Sequence, residues 1–374
     1  MRIGIDYTAA ARQGGGIGRY TRELVTALLK LTSPHQYTIF AAAGGPVRGD
    51  WRSEIESRSV RFRTIPLTDD WMARLWQRLR VPIPVEVITG PLDVFYSPDF
   101  VLPPTRRRTC TLLTVHDLSF LRYPDAFVPS LRCYLERTVP RSVARADRVL
   151  ADSEATRTDL IACYGALSEK VEVLYSGVDP RFRPEQEPGE REQLRARYSV
   201  GDRPYVLSVG TLQPRKNYVR LIQAFATLPP ANLQLCIAGG RGWLCEDIFA
   251  EAERHGDRVR ILGFVDDADL PALYRNAALF ALPSLYEGFG LPVLEAMACG
   301  TPVVCSNISS LPEVAGDAAL MVDPFDIDGL AEAMTRTLED AGLRQRMIAK
   351  GLAQAARFTW AESARQLLGV FGAL

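Results

Sequence analysis

Thirteen short apolar runs, separated by polar or helical stretches, are the main constraint on what this chain can fold into. Seven fall at residues 2–6, 37–41, 60–65, 94–96, 111–115, 148–151 and 171–174. Six more fall at 205–209, 233–238, 259–262, 279–282, 302–305 and 319–322. Helical patterns stand between them, among them 19–30, 71–79, 130–146 and 190–198. Strands that are apolar almost throughout are buried on both faces, and strands that alternate with helices pair in parallel. The expected class is therefore α/β with parallel sheets covered on both sides. A chain of 374 residues exceeds one ordinary domain. The stretch 180–188, PRFRPEQEP, carries three prolines and mixed charge and reads as the linker. This divides the chain into 1–183, 184–355 and a closing segment 356–374, whose helix is opened by the capping pattern Thr359-x-x-Glu362. Two such domains should face each other across a cleft, with ligands outside the carboxyl ends of the strands.

Charge and cysteine content exclude several classes. Formal net charge is zero, so the chain as a whole has no nucleic-acid footprint. Its halves differ: residues 1–183 hold 26 basic and 20 acidic residues, and the remainder holds 18 and 24. A basic first half suits either an anionic partner or the acidic second half. The seven cysteines show no C-x-x-C pair, and the expected compartment is the reducing cytoplasm. His35, His116 and His255 are too scattered for a metal site. No apolar run reaches the length of a membrane span.

Three segments carry chemistry. The first is Gly14-Gly15-Gly16-Ile17-Gly18-Arg19-Tyr20, between the first apolar run and a helix. Glycines admit close backbone approach and a helix start favours anions, so the loop suits phosphate, with a plain structural turn as the competing reading. The string lacks the Lys-Ser/Thr of a P-loop and the third glycine of the dinucleotide fingerprint. The second runs from Ser208 through Gly210 to Arg215-Lys216-Asn217, from a strand end toward a helix with Asn217 as expected N-cap. Two fixed cations there suit a diphosphate that becomes a leaving group. The third is Glu287-Gly288-Phe289-Gly290-Leu291-Pro292-Val293-Leu294-Glu295, with Glu287 on a loop and Glu295 about a turn into a helix. Carboxylates accept from vicinal sugar hydroxyls, while a first-turn partner for the helix dipole is the competing reading of Glu295.

The spacing of Glu287 and Glu295, with Ala281-Leu-Pro-Ser before and Ala296-Met-Ala-Cys-Gly-Thr-Pro after, resembles the E-x7-E motif of GT4-type retaining glycosyltransferases. The resemblance extends through Val209-Gly-Thr, Arg215-Lys216-Asn217, Ala238-Gly-Gly, Leu262-Gly-Phe-Val and Leu311-Pro-Glu-Val-Ala-Gly. In the first half it rests on the glycine loop, Val115-His116-Asp117 and Ala151-Asp152-Ser153. It implies the GT-B fold, two Rossmann-like domains facing across a cleft, with the acceptor bound by the first, the donor by the second, and the last helix crossing back to the first. It also implies roles. Arg215 and Lys216 would hold the donor diphosphate, Glu295 the ribose, and Glu287 the transferred sugar. Gly210 and the backbone of Gly288, Phe289, Gly290 and Leu291 would line the donor. Gly15 and Gly16 would approach the diphosphate, Phe264 and Val265 would border the base, and His116 would reach the donor sugar, at its 6-hydroxyl. Arg19, Tyr20 and Asp117 would meet the acceptor.

What the resemblance implies is retention of configuration without metal or cofactor, the nucleotide sugar being a co-substrate. Deprotonation of the acceptor would fall to the leaving diphosphate; for a double displacement Asp117 is the residue to nominate. Asp267-x-Asp269 and Asp326-x-Asp328 match a metal-binding D-x-D pattern but read as helix-capping acids. GDP-mannose is the first expected donor, because residues 116–118 resemble bacterial mannosyltransferases; UDP-glucose or UDP-N-acetylglucosamine is the alternative. The acceptor would be a saccharide or lipid-linked saccharide of the cell envelope. A basic stripe with tryptophans at 71–80, together with Arg106-Arg107-Arg108, would let the chain touch the inner face of the membrane. A nucleotide-sugar epimerase or a non-catalytic binding protein of the same fold are the rival readings.

Overall fold

The computed structural model describes residues 1–55, 60–229 and 232–374. All thirteen expected strands form. They are β1 (Arg2–Asp6), β2 (Gln36–Ala42), β3 (Val60–Ile65), β4 (Val94–Ser97), β5 (Cys110–Val115), β6 (Arg148–Ala151) and β7 (Val171–Val173) in the first sheet. The second holds β8 (Tyr205–Val209), β9 (Gln234–Ala238), β10 (Val259–Gly263), β11 (Leu279–Leu282), β12 (Val303–Ser306) and β13 (Leu320–Val322). Every pairing is parallel. Strand order is β3-β2-β1-β4-β5-β6-β7 in one sheet and β10-β9-β8-β11-β12-β13 in the other. Each sheet therefore reverses direction of winding once, between β1 and β4 and between β8 and β11. In such sheets that switch point is where loops diverge and a ligand can enter.

Burial follows the sequence pattern. Strands β4, β9, β11 and β12 are buried along their whole length, as continuous apolar runs require. Edge strand β3 alternates instead and turns Arg61 and Arg63 outward, which discourages pairing with another chain.

The chain divides into two compact units. One comprises Met1–Leu118, Cys133–Gly177 and Thr359–Leu374; the other comprises Ser119–Arg132 and Val178–Phe358. The proline-rich stretch 180–188 thus belongs wholly to the second unit. It is fastened there because Phe182 is buried with its ring 5.8 Å from that of Tyr274 and because Arg275 donates to the Arg183 carbonyl. Segment 119–132 also joins the second unit, through the Trp243 indole N–H to the Ala126 carbonyl at 2.7 Å and the tilted contact of the Phe127 and Trp243 rings at 5.6 Å. Nothing in its composition announces that.

The last helix, Trp360–Gly372, starts as its sequence indicates: the Thr359 hydroxyl accepts from the Glu362 N–H. It lies in the first unit, where Ser363 donates to the Tyr175 carbonyl and Gln366 to the Val173 carbonyl. Gly177 permits this, since a Cβ there would stand 2.0 Å from the Trp360 nitrogen.

Two local expectations need correction. A short helix, Thr8–Arg12, stands between β1 and the glycine loop, so the loop does not follow the strand directly. The expected amphipathic helix at 71–79 is a turn of α-helix, Asp69–Met72, running into a wide π-helix, Ala73–Arg78. Its apolar stripe splits: Met72 and Trp76 pack against Phe40 and its neighbours, whereas Trp71 and Leu79 face water. Among the described residues no helix is long and apolar enough to cross a membrane.

Candidate active site

In the second unit the expected donor residues gather at the switch point between β8 and β11. Gly210 leaves β8 with φ +154°, and a short 3-10 turn, Pro214–Lys216, leads to the helix Tyr218–Thr227. A Cβ on Gly210 would lie 3.1 Å from both Lys216 Cε and the Tyr218 hydroxyl oxygen, so glycine leaves room for the lysine to cross the strand end. Lys216 Nζ donates to Glu287 Oε1 at 2.6 Å, and Arg215 donates to Glu287 Oε2 at 2.9 Å. Ser284 Oγ adds a bond to Oε1 at 2.6 Å. All three charged side chains are at most 12% exposed. Burial alone would push the Glu287 carboxyl up, but Lys216 and Arg215 outweigh it and hold it down at about 2. The trio itself, two cations sharing one carboxylate, keeps one positive charge. Two buried cations at a strand end are suited to an anion.

The surrounding backbone is held as firmly. Arg215 also donates to the Tyr286 carbonyl, and its own carbonyl accepts from the Leu285 N–H at 2.8 Å. Ser310, fully buried, donates to the carbonyls of Glu287 and Phe289 at 2.9 and 2.7 Å; the Ser309 hydroxyl accepts from the Glu287 N–H. Because a trans peptide points its N–H opposite its C=O, these bonds fix the direction of the Gly288 and Gly290 N–H groups. Gly290 sits at φ +112° just before the helix Leu291–Ala298. Glu295, one turn inside that helix, is buried and accepts from the Tyr274 hydroxyl at 2.8 Å. Asn217 is no side-chain cap: it adopts a left-handed conformation and its amide donates to the carbonyls of Pro283 and Pro324, tying the loop after β8 to those after β11 and β13. After β10, Phe264 is exposed and Val265 buried.

The remaining candidates lie in the first unit. His116 follows β5. Its Nδ1 is 2.7 Å from Asp152 Oδ2 and its Nε2 is 3.1 Å from the Pro98 carbonyl. Burial would lower its pKa, but Asp152 and Asp99 override this and raise it to about 9. The Pro98 carbonyl thus stands at Nε2 of the ring expected to reach the donor sugar. Tyr20 departs from its expected place. It is buried, its hydroxyl lies among those of Tyr96 and Thr114, and its ring stands edge-on to His116 at 4.9 Å. It packs behind the histidine instead of presenting itself to an acceptor. Asp117 and Arg19 are half-buried on either side of this region in sequence. Gly15 and Gly16 open the helix Gly16–Lys30; a Cβ on either would meet no protein atom within 4 Å, whereas one on Gly18 would lie 2.4 Å from the Gln13 carbonyl. Gly18 is thus required by packing, and Gly15 is not.

Sequence reasoning passed over Ser284, Ser309, Ser310, Tyr218 and Tyr274, and it gave Asp152 no role. Arg22, also missed, braces the glycine loop by donating to the Gln13 and Gly14 carbonyls. Ser284 and Asp152 stand inside motifs quoted above, Ala281-Leu-Pro-Ser and Ala151-Asp152-Ser153, and Ser309-Ser310 directly precede the noted run from Leu311. The D-x-D pairs divide. Asp326 caps its helix through the Gly329 N–H, whereas Asp269 does not cap and instead pairs with Arg197 and the Tyr198 hydroxyl.

Comparison with known proteins identifies the family. Residues 190–354 match the family described as glycosyl transferases group 1, and residues 14–182 match glycosyltransferase family 4. The O-antigen chain mannosyltransferase B of Escherichia coli is 33% identical over 371 residues, covering 95% of each chain. The solved sucrose-phosphate synthase of Thermosynechococcus elongatus superposes with a TM-score of 0.76 at 22% identity, over 99% of this chain and 98% of that one. HepE of Anabaena, solved in complex with UDP and glucose, superposes with a TM-score of 0.74 at 22% identity over the full length of both. Motifs, strand order and relatives lead to one conclusion: the chain belongs to the glycosyl transferases of group 1 and family 4, with the GT-B fold of two Rossmann-like α/β domains.

Proposed function

We propose that this glycosyltransferase moves mannose from GDP-mannose to a saccharide or lipid-linked saccharide acceptor, in the cytoplasm, during synthesis of a cell-envelope polysaccharide. The observation that carries the reading is the buried trio of Arg215, Lys216 and Glu287 at the β8/β11 switch point. The likeness to an O-antigen mannosyltransferase along the whole chain supports the sugar and the setting.

In this reading the donor diphosphate lies against Arg215 and Lys216. The bond from the anomeric carbon to the phosphate oxygen breaks, and the acceptor oxygen bonds to that carbon on the same face. The acceptor proton passes to the departing diphosphate, and GDP leaves. Charge builds on the phosphate oxygens, where two preorganised cations stabilise it most. Arg215 and Lys216 then supply the positive charge that a metal would otherwise bring. Glu287 holds both cations in place and faces the sugar, and Glu295, steadied by Tyr274, takes the ribose hydroxyls. The backbone of Gly288 to Leu291, riveted by Ser310, lines the phosphate and sugar. No cofactor takes part.

Calorimetric titration with GDP-mannose, UDP-glucose and UDP-N-acetylglucosamine, each with EDTA present, tests the donor. Binding of GDP-mannose alone, abolished by Arg215→Ala, is expected. Preference for a UDP-sugar would move the assignment to the alternative donors, and a requirement for a divalent metal would overturn the diphosphate site. Proton NMR of the first product reads the anomeric configuration, and inversion would rule out the same-face mechanism.

A further inference from the structure

After leaving the first unit at Gly177 the chain runs through the proline-rich stretch 180–188. Residues 183–189 are exposed, yet the residues on either side of them, Phe182 and Glu190, are buried. Both land on one helix, Leu270–Asn276, and on consecutive residues of it. Phe182, the single aromatic residue of the stretch, stands edge-on to Tyr274 with ring centres 5.8 Å apart. Arg275 pairs with Glu190, their side chains 5% and 7% exposed, and donates to the Arg183 carbonyl at 3.1 Å. The same stretch borders the helix Leu291–Ala298: a Cβ on Gly300, just past its end, would lie 3.4 Å from Pro184 Cβ.

The tyrosine that Phe182 meets is the one whose hydroxyl donates to Glu295 Oε2 at 2.8 Å. Both residues of that bond are buried. The Tyr274 ring also meets that of Phe280 in β11 at 5.4 Å, and its carbonyl accepts from the Thr301 hydroxyl at 2.6 Å. Backbone and ring are therefore held from several sides, and Phe182 is the one contact among these that comes from the proline-rich stretch. A glutamate loses much rotamer freedom when it is ordered, whereas a packed tyrosine is already rigid. A carboxylate oriented before its ligand arrives gives up less freedom on binding and holds the ligand more tightly.

We infer that Phe182, acting through Tyr274, positions Glu295 for the ribose hydroxyls of the nucleotide, so that the proline-rich stretch is a determinant of donor affinity as well as a connection. Phe182 and Tyr274 are positioning residues and act only through Glu295. The inference rests on the reading that Glu295 takes the ribose, and it holds for either base, because GDP- and UDP-sugars carry the same ribose.

Calorimetry of the full chain with GDP and UDP, each against its 2′,3′-dideoxy counterpart, tests it. The ratio of dissociation constants, dideoxy over ribose, reads what the ribose hydroxyls contribute. For the tighter-binding base it should be on the order of 100 in the unaltered chain and fall nearly to one in Glu295→Gln. Tyr274→Phe keeps the ring and removes only the hydroxyl; it should lower the ratio about tenfold. Phe182→Leu should lower it about threefold, by loosening the ring. In both variants the affinity for the dideoxy nucleotide should stay as it was, which a general loss of folding would not allow. A ratio that collapses in Glu295→Gln but is kept in Tyr274→Phe or in Phe182→Leu would overturn the inference and leave the ribose reading standing. Equal weakening of both nucleotides in those two variants would reduce the contacts to scaffolding and overturn it as well. A ratio near one in the unaltered chain, a ratio indifferent to Glu295→Gln, or binding of neither nucleotide would overturn the ribose reading and the inference together.

Discussion

Each unit holds a buried cation against a carboxylate at the carboxyl ends of its sheet, yet the two clusters are built for different work. In the second unit the cations are Arg215 and Lys216, and they share Glu287. In the first the cation is His116, whose charge exists only because Asp152 and Asp99 lift its pKa to about 9. The second cluster sets two cations against one carboxylate; in the first both ring nitrogens lie within hydrogen-bond reach of the protein, at Asp152 and the Pro98 carbonyl. In the proposed reading the second cluster meets the leaving group, whereas the first ties the loop after β5 to those after β4 and β6.

The sharpest way to break this contrast is Glu287→Ala. Removing the shared anion from a buried trio should destabilise the second unit by about 3–5 kcal/mol, read by chemical denaturation, with Glu287→Gln recovering part of it. A loss under about 1 kcal/mol would mean that the trio is wetter than its burial indicates. Arg215→Ala comes next, and it should act on rate. We expect kcat/KM to fall about 10²- to 10³-fold, or ~3–4 kcal/mol, with little change in melting because Lys216 still partners Glu287. An equal loss of activity in Asp152→Asn would erase the distinction between site and clamp.

The third prediction uses pH. The folded pKa of His116 lies above its ordinary value, so its contribution is fully present below about pH 6.5 and is lost as pH rises through about 9. The loss should reach at most ~3 kcal/mol and vanish in His116→Gln, as followed by melting temperature between those values. Glu287 runs the opposite way: its pKa is depressed, so its contribution holds above the ordinary carboxylate range and fades as pH falls through about 2. If both units weaken together at alkaline pH, the clamp is not His116. The smallest effect belongs to Ser310→Ala, about 1 kcal/mol of stability for one hydroxyl, with donor KM rising because the Glu287 and Phe289 peptides lose their anchor. An unchanged KM would show that the loop holds its shape without it.

Much of this was legible from residues alone because it is written in local chemistry. All thirteen strands could be located, since doubly buried parallel strands must be apolar along their length. Glu287, Glu295, Arg215 and Lys216 stand in runs whose glycines and prolines mark loop and helix start. The misses share a cause. Tyr20 follows the glycine loop and looks available, but a helix rotates each residue by its position, and this one points inward to Tyr96 and Thr114. Asn217 occupies an N-cap position yet bonds two carbonyls distant in sequence, Pro283 and Pro324. Ser310 is an ordinary loop serine until the loop after β11 brings it the Glu287 and Phe289 carbonyls.

What the sequence determined by itself was the α/β class, the places of the strands and the loops that bear charge, because periodicity and turn chemistry act over a few residues. The tertiary structure alone decided which charges meet. Strand order brings the loop after β8 beside the loop after β11, some seventy residues away, and so hands Glu287 to Arg215 and Lys216. It also decided that segment 119–132 and stretch 180–188 belong to the second unit, and that His116 is charged. Burial, pairing and pKa depend on neighbours supplied by the whole fold, and no local pattern encodes them.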